Sequence, residues 1–303
     1  MTQMAGRDLV LGVNLGRTVE GDQVRGAARL AEESGFDVVT AADHLGAPAP
    51  FAVLATAAAV TERVRLRSYV LDVGFWNPAL LAREAATLDA LSGGRLELGL
   101  GAGHMRHEHE DAGLPFPPLA GRVEALERTI VEVRRRLADP GHAPQPMQRP
   151  VPVVVGCWGA GTLRVAARQA DVVSLGGLTQ IPGERAGTFR LATSGETADR
   201  VARLAGLLAD PAGGSGRRIV VDALLQRVVV DRPPERAAAE LEQEFGGAIG
   251  AEDLLDTPFV LLAHSPGAGA QELLARATRY GITSWMTHAT STAALASVLR
   301  ELR

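Results

Sequence analysis

The chain has 303 residues, 46% apolar and 22% charged, a balance typical of a globular protein with a large core and not of a disordered chain. Its net charge is -4, it contains no lysine, and its densest basic run is only Arg134 to Arg136, so a nucleic-acid surface is not expected. The single cysteine, Cys157, excludes an internal disulfide, and no apolar run approaches the roughly 20 residues of a membrane span. We therefore expect a cytoplasmic protein without a membrane partner.

Short runs rich in β-branched residues alternate with segments of helical periodicity. The predicted strands cover residues 8–15, 36–41, 64–73, 95–100, 151–156, 171–175, a run within 219–230, and 282–288. The predicted helices include residues 22–34, 78–91, 123–137 and 162–169. Eight strands alternating with helices occur in a barrel or in a doubly wound sheet, and their number favours a single-domain (β/α)₈ TIM barrel.

One segment departs from this alternation. Residues 179–216 contain a helical stretch, 197–208, flanked by Gly and Pro, and we interpret them as an insertion between the sixth and seventh strands that passes over the barrel mouth. A further apolar run at 257–263 fits either a strand or a buried turn. Because barrel enzymes act at the carboxyl ends of their strands, the residues that follow each strand are the candidates for function.

The second strand ends at Asp43 and His44. A histidine at the mouth of a barrel can exchange a proton near neutral pH, and an adjacent carboxylate can fix a ligand. The alternative is a structural turn in which Asp43 caps the next segment.

The fourth strand is followed by a polar loop rich in histidine. Gly99, Gly101 and Gly103 resemble only weakly a dinucleotide fingerprint, and we interpret them as backbone that a flat ring can approach closely. His104, His107 and His109 then follow among acidic residues. Their spacing shows no regular ligand pattern, so a solvated loop is favoured over a metal site, with His104 as a candidate for proton transfer or pocket lining.

Glycine-rich turns follow the fifth and sixth strands. The segment 156–161 precedes a helix for which Thr162 is the predicted N-cap, and Gly176 with Gly177 forms a second turn beside it. Exposed backbone N–H groups at such turns suit an extended ligand that carries phosphate. Trp158 could stack on an aromatic ring or pack in the core or in a lid. Cys157 is interpreted as a small buried residue that fills space in the core.

Several motifs in a fixed order together resemble the bacterial luciferase-like monooxygenase superfamily, in particular its branch that uses coenzyme F420. The residues that carry the resemblance are Asp43-His44, Val70-Leu71-Asp72 with Asn77-Pro78-Ala79, Ala85 to Leu88 with Ser92 to Arg95, Gly99 to Gly103, Gly113 to Phe116, Pro152 to Asp171, and Tyr280 to Ile282. The resemblance implies a barrel with the deazaflavin lying across its mouth. It also implies a non-prolyl cis peptide near Tyr69 and Val70.

The same resemblance implies roles for individual residues. His44 would be the acid, the base or an orienting residue. His104, which stands where the family has a glutamate, would be a second catalytic residue in the acid role or would only shape the pocket. The implied cofactor-binding residues are Asp43, Tyr69, Val70, Ala102, Gly103, His107, Trp158, Gly159, Ala160, Gly176 and Gly177. Phe75, Trp76 and Trp285 would bind the substrate if they face the mouth, and would otherwise be lid or core.

The chain also departs from this family. F420-dependent sugar-phosphate dehydrogenases have a glutamate at the position of His104 and use lysines for the substrate phosphate, and this chain has neither. We therefore expect F420-dependent hydride transfer to a small apolar or aromatic substrate and not to a sugar phosphate. The alternatives are an FMN-dependent monooxygenase, a flavin-binding protein without turnover, and a metal-dependent hydrolase. A homodimer is the expected assembly.

Overall fold

The computed structural model describes residues 6–16, 20–181, 183, 188–210, 219–246 and 249–303. Its strands are β1 (Val10–Asn14), β2 (Val38–Ala41), β3 (Arg65–Ser68), β4 (Leu71–Asp72), β5 (Leu96–Gly101), β6 (Val153–Cys157), β7 (Val172–Leu175), β8 (Leu178–Gln180), β9 (Phe189–Leu191), β10 (Val220–Leu225), β11 (Arg227–Val229), β12 (Val260–Leu262) and β13 (Ile282–Thr287). Its helices are α1 (Gly21–Glu33), α2 (Pro50–Ala58), α3 (Pro78–Leu91), α4 (Arg106–Asp111), α5 (Leu119–Ala138), α6 (Ala160–Gln169), α7 (Ser194–Ala209), α8 (Pro234–Glu244), α9 (Ala251–Asp256), α10 (Pro266–Tyr280) and α11 (Thr292–Leu302). No helix among these residues has the length and apolarity that crossing a membrane requires.

Eight parallel strands close into a barrel. They are paired in the order β1, β2, β3, β5, β6, β7, β10 and β13, and β13 returns to pair with β1. Helices lie between successive strands along the chain. The prediction of a single-domain (β/α)₈ barrel is confirmed, and each of the eight predicted strands contains or overlaps a strand of the barrel.

Glycine and proline set several helix boundaries as predicted. Gly35 follows α1 with φ of 86°, and Gly93 and Gly94 follow α3 with φ of 69° and 83°. Such positive values favour glycine because other residues meet a steric penalty there. Pro78 begins α3, and the side chain of Asn77 caps it by accepting a hydrogen bond from the N–H of Ala79.

The predicted insertion begins with a hairpin. β8 and β9 pair antiparallel, and α7 follows with a capping box in which Thr193 and Glu196 bond each other's backbone N–H groups. Parts of the predicted segment, residues 182, 184–187 and 211–218, lie outside the described residues. The unassigned run at 257–263 contains β12, which pairs in parallel with β11.

The barrel lumen contains a buried charge network. Arg67 Nε lies 2.6 Å from a carboxylate oxygen of Glu97, and Arg67 Nη1 lies 2.8 Å from Oδ1 of Asp222. Asp222 also accepts hydrogen bonds from the hydroxyls of Tyr69 and Ser284 at 2.7 and 2.6 Å. These partners satisfy buried charges that would otherwise destabilise the fold, and they crosslink strands on opposite sides of the barrel.

Candidate active site

Val70 forms the floor of the barrel mouth. Tyr69 and Val70 are joined by a non-prolyl cis peptide bond, so the expectation of such a bond here is confirmed. The side chain of Val70 fills the space over two glycines, because a Cβ at Gly101 would lie 2.7 Å from it and one at Gly156 3.0 Å. At Gly99 a Cβ would collide first with the carbonyl oxygen of Ser68 and would lie 3.2 Å from Val70. The interpretation of Gly99 and Gly101 as bare backbone for a flat ring is therefore wrong, since a ring above them would contact Val70.

Gly103 and Ala102 complete the wall after β5. Gly103 has φ of 74°, and a Cβ there would collide with the carboxylate of Asp72, so this position admits only glycine. Ala102 is buried, and Arg122 donates hydrogen bonds to the carbonyl oxygens of both residues. These hydrogen bonds from Arg122 fix the backbone of Ala102 and Gly103.

His44 is paired with a carboxylate. Its Nδ1 lies 2.9 Å from Oε1 of Glu108, whose side chain is only 8% exposed, whereas His44 itself is 30% exposed. The imidazole therefore has one nitrogen bound to the protein, and its other face is accessible at the mouth. This arrangement holds a group that can exchange a proton in a fixed orientation.

Asp43 contacts Trp76. Its Oδ2 accepts hydrogen bonds from the indole N–H of Trp76 at 2.9 Å and from the N–H of Asp72 at 3.2 Å. Burial, with the nearby charge of Asp72, raises the pKa of the Asp43 carboxyl despite these bonds. Trp76 is half-buried and packs edge-on against Phe51 at 5.3 Å, so it borders the site through Asp43.

The histidine-rich loop forms the short helix α4, and its ligand-type side chains point to different partners. His109 is 2% exposed, its Nε2 lies 2.8 Å from Oδ2 of Asp72, and its Nδ1 donates to the carbonyl of Pro115 at 2.9 Å. Phe75 packs on the same imidazole at 4.8 Å, and His107 is exposed. Among the described residues no group of three or more His, Cys, Asp or Glu is placed to hold a metal ion.

Three aromatic rings lie beside His44. His104 lies 5.6 Å from the His44 ring and 4.9 Å from the ring of Trp158, which in turn packs edge-on against Phe189 at 4.7 Å. Partial loss of hydration and the neighbouring His44 lower the pKa of His104. His104 thus forms part of an aromatic surface with Trp158 and Phe189.

The turn before α6 leaves open space at a helix N-terminus. Gly159 is the N-cap, and a Cβ there would meet nothing within 4 Å. The predicted N-cap, Thr162, instead occupies the third helical position, because its hydroxyl accepts from the N–H groups of Trp158 and Gly159 and donates to the Gly159 carbonyl. Ala160 begins the helix, and its N–H has no acceptor within the helix, which suits an anion.

Protein atoms occupy the space beside Gly176 and Gly177, the second turn that was predicted to bind phosphate. The N–H of Gly176 donates to the carbonyl of Cys157 at 2.8 Å, and a Cβ on Gly176 would collide with the indole of Trp158. A Cβ on Gly177 would lie 2.5 Å from the ring of Phe259. The N–H of Gly176 is therefore occupied by the protein, so the prediction that it binds phosphate is wrong, whereas phosphate binding by Gly177 stays a prediction.

The sequence profile of the luciferase-like monooxygenase family matches residues 10–245. The chain belongs to the luciferase-like monooxygenase family. Among curated relatives, an F420-dependent glucose-6-phosphate dehydrogenase from Intrasporangium calvum is 34% identical over 166 residues, which are 46% of this chain and 49% of that protein. The chain spans about half the length of this curated relative.

Solved structures show the same fold over nearly the whole chain. A coenzyme F420-dependent tetrahydromethanopterin reductase from Methanopyrus kandleri superposes with a TM-score of 0.73 at 20% identity, covering 97% of this chain and 98% of its own. The monooxygenase RslO1 from Streptomyces bottropensis gives a TM-score of 0.73 at 20% identity, covering 96% and 97%. The barrel of this luciferase-like protein is thus shared by enzymes described as F420-dependent and as monooxygenases.

The position of Trp285 contradicts the prediction that this residue binds substrate. Its side chain is 0% exposed and belongs to the main apolar core, and its indole N–H has no partner among the described residues. It is therefore wrong to place Trp285 in a substrate pocket. Its strand neighbours Ser284 and Met286 are also buried, but Ser284 bonds Asp222 in the lumen, which places Trp285 on the opposite face of β13.

Sequence reasoning missed two residues of the mouth. Glu108 stands in the histidine-rich run, but only the fold shows that it meets His44, 64 residues away. Phe189 lies in the insertion, where nothing in the sequence ties it to Trp158. The signal in the sequence was the alternation of acids with histidines in α4. Consecutive helical residues such as Glu108 and His109 point in different directions, so the two side chains could be expected to meet different partners.

Cys157 is shielded from reagents. Its side chain is buried, its Sγ lies 3.5 Å from the carbonyl oxygens of Val155 and Thr162, and burial raises the pKa of the thiol to about 12. Because the thiolate is the reactive form, we expect iodoacetamide at about pH 8 to leave the native protein unlabelled and to alkylate it in denaturant. Intact-protein mass measures the labelling, and native alkylation at the rate of a free thiol would contradict this expectation.

Proposed function

We propose that this protein transfers a hydride between coenzyme F420 and a small organic substrate, with His44 exchanging the accompanying proton. The observation that carries the proposal is the pairing of His44 with the shielded carboxylate of Glu108 at the barrel mouth. A histidine oriented in this way suits proton exchange with a substrate atom within hydrogen-bond reach. The names of the curated relatives support F420 as the hydride carrier.

The mouth fits a flat ring system with a phosphate-bearing tail. Val70 presents a small apolar surface at the centre of the mouth, backed closely by two glycines, against which a planar ring could lie. Gly159 and Ala160 offer the open N-terminus of α6 to an anionic group. When bound, the deazaflavin would supply a carbon that accepts or delivers a hydride.

The substrate side of the mouth is apolar and aromatic. His104, Trp158 and Phe189 form a continuous surface beside His44. The chain has no lysine to bind a substrate phosphate, so we propose an apolar or aromatic alcohol, ketone or unsaturated compound instead of a sugar phosphate. The names of the relatives point toward glucose 6-phosphate, but at 34% identity over half of their length.

Two ligand titrations test the cofactor. The purified protein is titrated with F420 and separately with FMN while ligand fluorescence is followed. Binding of F420 at least about tenfold tighter than FMN is expected, whereas the reverse order would favour a flavin monooxygenase and binding of neither would refute the proposal. Turnover of F420 is then measured with a panel of alcohols, with glucose 6-phosphate included, and a preference for glucose 6-phosphate would refute the proposed substrate class.

A further inference from the structure

We propose that Glu108 is the positioning residue of His44, fixing the imidazole as its Nδ1–H tautomer so that Nε2 is the atom that exchanges a proton with the substrate. The inference deepens the proposed function and rests on it for its catalytic consequence. The pairing itself can be measured without any cofactor.

The contact between the two side chains defines the tautomer. A carboxylate only accepts hydrogen bonds, and Oε1 of Glu108 lies 2.9 Å from Nδ1 of His44, so Nδ1 must carry the hydrogen. In neutral imidazole Nε2 then has the free lone pair. Because the Glu108 side chain is 8% exposed, little water competes for this bond.

The neighbouring residue on α4 holds Glu108 in place. His109 uses both ring nitrogens, one toward Asp72 and one toward the carbonyl of Pro115, and it is almost fully buried. Its ring also packs against Phe116 at 5.0 Å. A helix of six residues anchored in this way has a fixed rotation about its axis, and the adjacent Glu108 is thereby directed at His44.

The same helix offers a matched control. Glu110 lies two residues further along α4 with its side chain 63% exposed, and it is 3.9 Å from the guanidinium of Arg106. It contributes to the charge of the helix as Glu108 does but does not contact His44. Glu110→Gln therefore removes a carboxylate from α4 without altering the proposed pairing.

The first measurement is ¹⁵N NMR of histidine-labelled protein without cofactor, with the His44 signals assigned by their loss in His44→Gln. In the wild type and in Glu110→Gln we expect the shifts of a single Nδ1–H tautomer. In Glu108→Gln we expect a mixed or inverted tautomer, because the amide can donate to Nδ1. His44 shifts that are the same in wild type and Glu108→Gln would overturn the proposal, and this outcome does not depend on the cofactor or the substrate.

The second measurement is steady-state turnover with the best substrate of the panel. Glu108→Gln is expected to lower kcat at least about tenfold, as loss of a carboxylate that fixes a catalytic histidine does elsewhere, with the Kd for F420 within about twofold. Glu108→Asp, which keeps an acceptor, should restore part of kcat and the wild-type tautomer. An unchanged kcat, or an F420 affinity that falls as much as kcat, would instead assign Glu108 no positioning role. Failure of wild-type protein to bind F420 would refute the proposed function while leaving the NMR result valid.

Discussion

Replacing His44 with glutamine is expected to lower kcat by about 10²- to 10⁴-fold, which is the usual contribution of a positioned general acid or base. The reason lies in the geometry of the mouth, where His44 is oriented by Glu108 at 2.9 Å and remains 30% exposed. Glutamine keeps the polarity and approximate length of the side chain but cannot exchange a proton near neutral pH. The measurement is turnover of F420 at saturating substrate.

A second measurement separates catalysis from cofactor binding. The Kd for F420, from ligand fluorescence, should change by less than about threefold in His44→Gln if the residue acts on the proton. The control is His142→Gln, because His142 follows α5 in the connector to β6, at the end of the barrel opposite the mouth. A His44→Gln enzyme with wild-type kcat would remove this residue from the mechanism.

Most of the barrel could be predicted from local patterns. The strands of a parallel barrel are buried on both faces, so they appear as short β-branched runs such as the one that contains β7. Helix ends could also be predicted from the local sequence. The backbone preferences of Pro78 and Gly35 alone favour the start and the end of a helix at these positions. The N-cap of α6 was not predicted, because Thr162 is a favoured capping residue by type and only its contacts show that it bonds the turn from inside the helix.

The roles of the glycines and tryptophans depended on tertiary contacts. Gly101 could have served a ligand or a neighbouring side chain, and the sequence contains nothing to show that Val70 would fill its space. Trp285 and Trp158 are equally apolar, yet one faces the core and the other the mouth. Such choices depend on which face of a strand or turn meets which neighbour, and that information is spread over the whole chain.

The second large effect concerns stability. Arg67→Met is expected to lower the free energy of unfolding by about 3–5 kcal/mol, because it leaves a buried carboxylate without its cation. Asp222, 0% exposed, would keep only hydroxyl partners, whereas Glu97 would keep Arg65 at 2.5 Å. Urea unfolding followed by circular dichroism measures the change.

The same network determines part of the response to acid. Burial disfavours the charged form of Glu97, but the guanidiniums of Arg67 and Arg65 outweigh it and lower the pKa of this carboxyl. A carboxyl with a depressed pKa stabilises the fold above its unfolded value of about 4.3, and this contribution is lost as the pH falls through the folded value. Arg67→Met should therefore lose less stability than the wild type when the pH is lowered from about 6 to 3.

Two further variants distinguish the buried charge from the loss of arginine as such. Arg128→Met removes a guanidinium that is 71% exposed and 3.7 Å from Glu124, so the free energy of unfolding should fall by no more than about 1 kcal/mol. Adding Asp222→Asn to Arg67→Met neutralises the carboxylate that lost its cation and should recover part of the stability, since unpaired charge is the main cost. If Arg67→Met unfolds at the same urea concentration as Arg128→Met, the lumen network does not hold the barrel together. If the double variant is as unstable as the sum of its single changes, the loss comes from packing of the long side chain and not from its charge.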